Sequence, residues 1–427
     1  METALVLMGT LILGLMLNLP IGFAIGFSSI AAILVDGRLS NLYIVQQMVT
    51  ASDSFTLIAI PLFILAGELM AAGGVSKRLL GVANAFFGHY TGGLATVTIV
   101  LCMFFAAVSG SGPATVAAIG TMVVPTMLEK GYDKSFTLAL IACAGSIGVI
   151  IPPSIPMVIY GTTTGTSVSS VFTAGIIPGI LIGFSLIVMC YFISRKNGWK
   201  GDDNRYTTAE KMKFVWEAKW ALINPFIILG GIYAGVFTPT EAAAVATIYA
   251  FVCGMFIYRE LNIRSLWTSL ASASMTTGTI LVIVAFATAF TKILTINRIP
   301  DMITHGILGL SDSMVVIILF MILLLLFVGC FMDTTPAMMV LAPILLPVAV
   351  ALGLSPVHFG VIMVVTLAIG FFTPPLGVNL FVASRVGNVR METVIAGVTR
   401  FVIIMIVDAV LIAFIPEISM FLVNLGK

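Results

Sequence analysis

Long apolar runs recur from one end of the chain to the other, and they decide the solvent. Phe55–Ala72 is 18 residues with a single charge, Glu68, and Val171–Phe192 is 22 residues with none. A helix needs about 20 apolar residues to cross the hydrocarbon of a bilayer. Of the 427 residues, 60% are hydrophobic and only 9% are charged, and the mean hydropathy is +1.17. Soluble domains carry about 25% charged residues. The fold class is therefore an all-α polytopic membrane protein, with the lipid bilayer as its solvent. The first span opens on Glu2 with no basic stretch before it, which reads as a span and not as a cleaved leader. There is no GxxxxGK[ST] phosphate loop for ATP, and no basic cluster suited to nucleic acid. The five cysteines all lie in apolar segments and read as packing residues, as do the many Met and Phe. His89, His305 and His358 are dispersed, and each reads as an interfacial or loop residue. No organic cofactor and no enzyme activity is implied.

The chain repeats itself. "SGPATVAAIGTMVVPTMLEKG" (Ser111–Gly131) lines up with "TTPAMMVLAPILLPVAVALG" (Thr334–Gly353). Pro113 meets Pro336 at an offset of 223 (336 minus 113), Pro125 meets Pro347 at 222 (347 minus 125), and Gly131 meets Gly353 at 222 (353 minus 131). "GVIIPP" (Gly148–Pro153) meets "GFFTPP" (Gly370–Pro375), again at 222 (370 minus 148), and Pro20 meets Pro239 at 219 (239 minus 20). A nearly constant offset in unchanged order means two structural repeats, 1–195 and 221–427, joined by a linker at 196–220. Each repeat holds a helical hairpin (about 91–128 and 313–352) and a broken helix (about 135–160 and 357–384).

If the hairpins enter and leave on one side, each half crosses five times, and the halves are inverted. Only Arg38, Lys292, Arg298 and Lys427 of the 20 Lys and Arg then lie on the side of the termini; the other 16 (20 minus 4) lie with the linker. Positive charge marks the cytoplasm, so the termini are expected to be periplasmic and the linker cytoplasmic. Full spanning pairs would leave that count almost unchanged, so the hairpins are inferred from their broken tips. Within the linker, "TAEKMKFVWEAKWALI" (Thr208–Ile223) reads as an amphipathic helix on the anionic inner leaflet.

Irregular backbone is tolerated at membrane depth only inside protein or beside a cavity. The breaks fall at four matched places: the tips Ser109–Pro113 and Cys330–Pro336, and the interruptions Gly148–Ser154 and Gly370–Gly377. Inverted repeats broken at matching positions point to the midplane site of a secondary transporter. Freed carbonyls and Ser/Thr hydroxyls suit Na+, while helix-start N–H groups, expected at Ala114–Val116 and Ala337–Met339, suit a carboxylate. The candidate Na+ ligands are Ser109, Gly110 and Ser111 at the first tip, and Gly145, Ser146, Gly148 and Pro152 at the first interruption. In the second half they are Gly329, Asp333, Thr334 and Thr335 at the tip, and Thr366, Gly370, Thr373 and Pro374 at the interruption. The candidate substrate contacts are Ser111, Ser154, Asp333, Thr334 and Thr335.

An intramembrane acid is a functional residue by default. Asp333 is singled out first, because it lies too far upstream of a helix start at Ala337 to cap it. Glu241 is structural: "TPTE" (Thr238–Glu241) has capping-box spacing. Glu68 and Asp408 are lone acids expected to pair within the bundle. Two rival readings remain at this point: a self-sufficient Na+/anion symporter, and an intramembrane aspartyl protease using Asp333 and Asp408. A protease does not explain why Ser, Thr and Pro recur at duplicated breaks.

"GVFTPTEAAAVA" (Gly235–Ala246), "FTLIAIPLFILAGELM" (Phe55–Met70), "SGSGPATVAAIG" (Ser109–Gly120) and "GFFTPPLGVNLF" (Gly370–Phe381) together resemble the large membrane subunit, DctM/SiaM type, of TRAP (tripartite ATP-independent periplasmic) transporters. The resemblance runs over essentially the whole chain. It implies Na+-coupled uptake of an organic acid across the bacterial inner membrane, with Na+ as the coupling ion. It also implies two partners, a small membrane subunit of about four spans and a periplasmic substrate-binding protein, and the chain looks like the form not fused to the small subunit. It further implies an elevator mechanism, with a mobile transport domain of about 91–160 plus 313–384 in a scaffold made of the rest. Family substrates include C4-dicarboxylates, sialic acids and other sugar acids. A site with an acid and hydroxyls but no arginine favours sialic acid or another sugar acid, with C4-dicarboxylates next.

Overall fold

The computed structural model describes residues 2–40, 42–202, 205–309 and 311–426, and among them every regular element is helical. The first half comprises α1 (Glu2–Met16), α2 (Ile21–Asp36), α3 (Leu42–Ser52), α4 (Ala59–Ala72), α5 (Val75–Phe87), α6 (Gly93–Ser109), α7 (Gly112–Glu129), α8 (Lys134–Ser146), α9 (Ile155–Thr164) and α10 (Val168–Asn197). The second comprises α11 (Thr208–Tyr233), α12 (Pro239–Val252), α13 (Ile263–Ile296), α14 (Ile299–Leu308), α15 (Met314–Gly329), α16 (Thr334–Ala351), α17 (Pro356–Gly370), α18 (Val378–Val386), α19 (Met391–Phe414) and α20 (Glu417–Leu425). Among the described residues, six helices are long and apolar enough to cross a membrane: Phe55–Ala72, Val168–Asn197, Pro239–Ile257, Ile263–Ile296, Thr334–Ala351 and Met391–Phe414. Lys427 and residues 203–204 of the linker lie outside the described residues.

Helix starts follow the local chemistry. At "TPTE" the Thr238 Oγ accepts from Glu241 N at 3.3 Å, and the Glu241 carboxylate accepts from Thr238 N at 2.8 Å. Asp133 starts α8 by accepting from Phe136 N at 2.8 Å. Each such cap satisfies an N–H group that the first turn leaves without a helical partner.

The packing maps onto itself when the halves are exchanged. α7 packs on α18 as α16 packs on α9, α8 packs on α19 as α17 packs on α10, and α10 meets its own counterpart α19. The second limb of each broken helix therefore lies against the hairpin of the other half. At the α10–α19 crossing, Ser185 Oγ donates to Asp408 at 2.5 Å, and the two residues stand 223 apart in sequence. The lone acids thus have partners: Asp408 has Ser185, and Glu68 accepts from Ser272 Oγ at 2.9 Å.

Several expectations need correction. The helix expected to lie on the membrane over Thr208–Ile223 continues past Pro225 to Tyr233 as α11, 26 residues or about 39 Å at 1.5 Å per residue. Its first turns and the next span are assigned to one helix, with Pro225 inside it, and that helix packs on α5. The last apolar run, read as one span, breaks into α19 and α20 at Pro416, which cannot continue a helix bonded through its N–H. Three helices outside the expected spans appear: α3, α5 and α14. α5 is short and carries charge; its Arg78 pairs with Glu260 at 2.6 Å and lies over the Tyr258 ring at 3.8 Å. His358 is not a loop residue: it is buried near the start of α17, with Ser419 Oγ at 2.6 Å and the Ala413 carbonyl at 3.3 Å. All five cysteines are free, and four of them are buried.

Candidate functional site

The first tip is the two-residue turn between α6 and α7. Gly110 turns the chain with φ at +61°, a conformation that costs glycine least. Ser111 then caps α7, its Oγ accepting from Ala114 N at 3.4 Å. Its carbonyl is taken by Thr115 Oγ at 2.7 Å and Thr115 N at 3.2 Å. Ser109 Oγ lies 3.1 Å from Thr115 Oγ. Ser109 and Gly110 are buried, so this tip ends inside protein.

α8 runs into a tight turn at Ile147–Val149, the chain is irregular to Ser154, and α9 resumes at Ile155. Pro152 and Pro153 are joined by a cis bond, as are Pro374 and Pro375 in the second half. Gly110 O accepts from Ile155 N at 3.4 Å, which ties the tip to the interruption. Gly148 lies so close that a Cβ there would stand 2.6 Å from Ser111 O and from Thr115 Oγ. Ser146 Oγ donates to the Cys143 carbonyl at 2.7 Å. Ser154 is fully buried; its Oγ donates to Val149 O at 2.5 Å and accepts from Met157 N at 3.4 Å. Its hydroxyl caps α9 and offers a ligand no exposed atom in this structure.

The second half repeats the plan. Cys330–Asp333 turns between α15 and α16, and Leu376 N donates to Cys330 O at 3.2 Å, tying this tip to its own interruption. Gly370 abuts the Gly329 backbone directly. Thr373 Oγ donates to Ile369 O at 2.6 Å, and Pro374 follows it in the irregular stretch before α18. Thr366 is fully buried in α17, and its Oγ has no hydrogen-bond partner.

Both helix starts differ from the sequence expectation. α16 begins at Thr334, not Ala337, and Asp333 is its N-cap after all, accepting from Thr335 N at 3.1 Å and Thr334 Oγ at 3.3 Å. Ala114 N is bonded to Ser111 Oγ, Thr115 N to Ser111 O, and Ala337 N to Asp333 O at 3.1 Å. These are therefore not free donors for a carboxylate. The prolines sit inside the first turn, where their missing N–H costs nothing. Thr334 and Thr335 are buried beside the half-buried Asp333.

Sequence reasoning missed Asn379. It is fully buried at the start of α18, and its Nδ2 donates to the Ala142 carbonyl of α8 at 2.9 Å. Its Oδ1 has no partner. A point one Cβ out from Gly112 lies 3.4 Å from both Asn379 Oδ1 and Gly145 O, so oxygens from the two halves converge beside the first tip. An unsatisfied buried oxygen is costly and asks for a ligand. The donor set is carbonyls and hydroxyls with at most one carboxylate, and it fits a hard monovalent cation. Among the described residues, no three His, Cys, Asp or Glu gather in a cluster that could hold a metal ion.

The family model described as the DctM component of the tripartite ATP-independent periplasmic transporter matches residues 8–418. The isethionate TRAP transporter permease protein DctMQ of Oleidesulfovibrio alaskensis is 46% identical over 97% of this chain, which spans 66% of that longer protein. The C4-dicarboxylate TRAP transporter large permease DctM of Vibrio cholerae is 38% identical over 99% of this chain and 98% of that one. The sialic acid large permease SiaM of Vibrio cholerae is 37% identical over 96% and 95%. In fold, the chain is similar to the YdaH transporter of Alcanivorax borkumensis, with a TM-score of 0.63 at 15% identity over 87% of this chain and 86% of that one.

Proposed function

We propose a function from one premise: the chain belongs to the DctM component family of tripartite ATP-independent periplasmic transporters, as a large permease subunit for organic acid uptake. On our reading it couples the inward movement of Na+ to that of an organic anion. One observation carries the coupling. Each tip is bonded to its own interruption, and the orphaned Asn379 Oδ1 lies beside the Gly145 carbonyl at the first tip, while Thr366 Oγ is orphaned in α17, one turn before Gly370. Cations there would neutralise part of the charge of an anion held beside them. The ion ligands we assign are carbonyls and hydroxyls among Ser109–Ser111, Gly145, Ser146, Gly148, Asn379, Gly329, Asp333–Thr335, Thr366, Gly370 and Thr373. The substrate contacts are Ser111, Asp333, Thr334 and Thr335.

The substrate class is a hydroxylated organic mono-anion, such as a sugar acid or a hydroxysulfonate. Neither tip carries an Arg or Lys to match a second carboxylate. The relative at 46% identity is a TRAP transporter permease protein named for isethionate, itself a hydroxylated mono-anion. A small membrane subunit and a periplasmic binding protein complete the transporter. The moving part we propose is α6–α9 with α15–α18; the cross-packing of α7 on α18 and of α9 on α16 supports grouping the two hairpins with the broken helices.

On this reading both termini lie in the periplasm. Arg78 of α5 pairs with Glu260, and Lys130 with Asp202, all in segments that charge assigns to the cytoplasm, and Arg38 contacts Asn297 on the opposite side. The protease alternative gains nothing from the site: Asp408 is bonded to Ser185 and Asp333 to its own tip, with no partner in common among the described residues. The test is uptake into proteoliposomes holding both membrane subunits, with the binding protein outside and an inward Na+ gradient. Accumulation of isethionate or N-acetylneuraminate that stops when Na+ is replaced by K+ supports the reading. Equal uptake without Na+ defeats the coupling.

A further inference from the structure

A cavity lies along α16 beyond the second tip. It has a volume of about 340 Å³ and opens between α3, α9, α13 and α16. Its size falls in the range of small-ligand sites, about 300–1,000 Å³. Its lining is polar: Lys292 supplies an ammonium, and the hydroxyls of Thr50, Thr162, Thr288 and Thr291 each donate to a backbone carbonyl, which leaves their oxygens, with Thr163, as acceptors for a ligand's own hydroxyls. Lys292 has no carboxylate within 4 Å among the described residues. The sequence places it among only four cations on its side of the membrane. Arg38, another of those four, bonds to Asn297 about one and a half turns further along from Lys292. A cation without a carboxylate partner, beside hydroxyl oxygens that can only accept, suits a small anion that carries hydroxyl donors of its own.

The position matters as much as the lining. α3 and α13 belong to the proposed frame, and α9 and α16 to the proposed moving body. Thr291 Oγ donates across that seam to the Met339 carbonyl of α16 at 3.4 Å. Met339 is five residues from the start of α16 at the second tip, about 7.5 Å along the helix. Any sliding of α9 and α16 past α13 reshapes this cavity.

We propose that the cavity is a docking vestibule on the periplasmic face, where Lys292 and the threonines hold the hydroxylated organic anion before it reaches the tips. The proposal rests on the transport reading for the identity of its ligand, and its test reads binding separately from transport. Thr163→Cys in a Cys330→Ser background places a reporter thiol in the cavity of the assembled transporter. Its labelling by a membrane-impermeant methanethiosulfonate is followed with and without isethionate, N-acetylneuraminate or succinate. Protection by the hydroxylated anions is expected, retained when Asp333→Asn is added and weakened about three- to fivefold in apparent affinity by Lys292→Ala, the scale of one exposed charge pair. Lys292→Arg restores it. In uptake, Lys292→Ala raises KM by a similar factor at unchanged kcat. Absence of protection by every anion, or identical protection in Lys292→Ala, overturns the vestibule even if the wild type transports normally. Protection that persists in a wild type that moves no anion overturns the transport reading instead.

Discussion

The close approach of Gly370 to Gly329 makes a sharp prediction because it is one-sided. A Cβ added at Gly370 would fall on the carbonyl oxygen, carbonyl carbon and Cα of Gly329, the last at 2.6 Å. A Cβ added at Gly329 would meet Gly370 Cα at 3.4 Å, an ordinary separation. Relieving the first clash needs the end of α15 and the end of α17 to part by about 0.8 Å to clear the Cα of Gly329 (3.4 minus 2.6), and by more to clear its carbonyl. Both neighbours are backbone, so no side chain can rotate away. Helix propensity favours alanine at either position by up to about 1 kcal/mol. At Gly370 an overpacking cost of about 1–3 kcal/mol outweighs it. The shift also exceeds the tolerance of ion ligands, about 0.2 Å. Gly370→Ala is therefore expected to lower the thermal midpoint of the purified protein and to raise the Na+ concentration for half-maximal uptake at least tenfold. Gly329→Ala should change neither. A Gly370→Ala transporter with wild-type midpoint and Na+ dependence would refute the close approach, and with it the placement of the second ion site.

Three further outcomes follow from single interactions. Asp333→Asn keeps a side chain able to cap α16, so stability should hold within about 0.5 kcal/mol while Na+-driven uptake disappears; normal uptake would remove the carboxylate from the site. Ser185→Ala leaves Asp408 buried without its hydrogen bond and should cost about 1–3 kcal/mol, whereas adding Asp408→Leu should recover part of the loss; strictly additive effects in thermal unfolding would deny the coupling. The Thr207 N–H, and then its hydroxyl, hold the Glu210 carboxylate below its ordinary value of 4.5. Its charged form thus supports the start of α11 above that value, and the support is lost as pH falls through the lowered one. Hydrogen exchange at residues 208–211 should quicken there relative to Glu210→Gln, and equal exchange in both proteins would deny the cap.

The breaks were legible because proline, glycine and hydroxyl residues mark them locally, and the offset between halves fixed their pairing. The capping box at Thr238 and Glu241 was legible for the same reason, since four consecutive residues contain the whole device. The true start of α16 was not. Proline suggested a start after Pro336, but the first turn of a helix needs no N–H at that place, and the turn at Asp333 admits the helix three residues sooner. Asn379 stood in plain view in "PPLGVNLF". What makes it interesting is burial and an unsatisfied oxygen, and both come from elements more than 200 residues away. His358 escaped for a like reason: its partners lie on α19 and α20.

The bond between Ser185 and Asp408 has a consequence for the origin of the molecule. Residues one repeat apart can touch only where the two-fold relation passes between them, so this pair marks the axis. A protein assembled from two identical copies would face itself there, serine to serine or aspartate to aspartate. Two ionised carboxylates at 2.5 Å in an apolar interior would repel strongly. The present pairing of donor with acceptor is open only to a chain whose halves are free to diverge. Joining the copies end to end thus did more than tether them: it allowed the seam at the centre to become asymmetric.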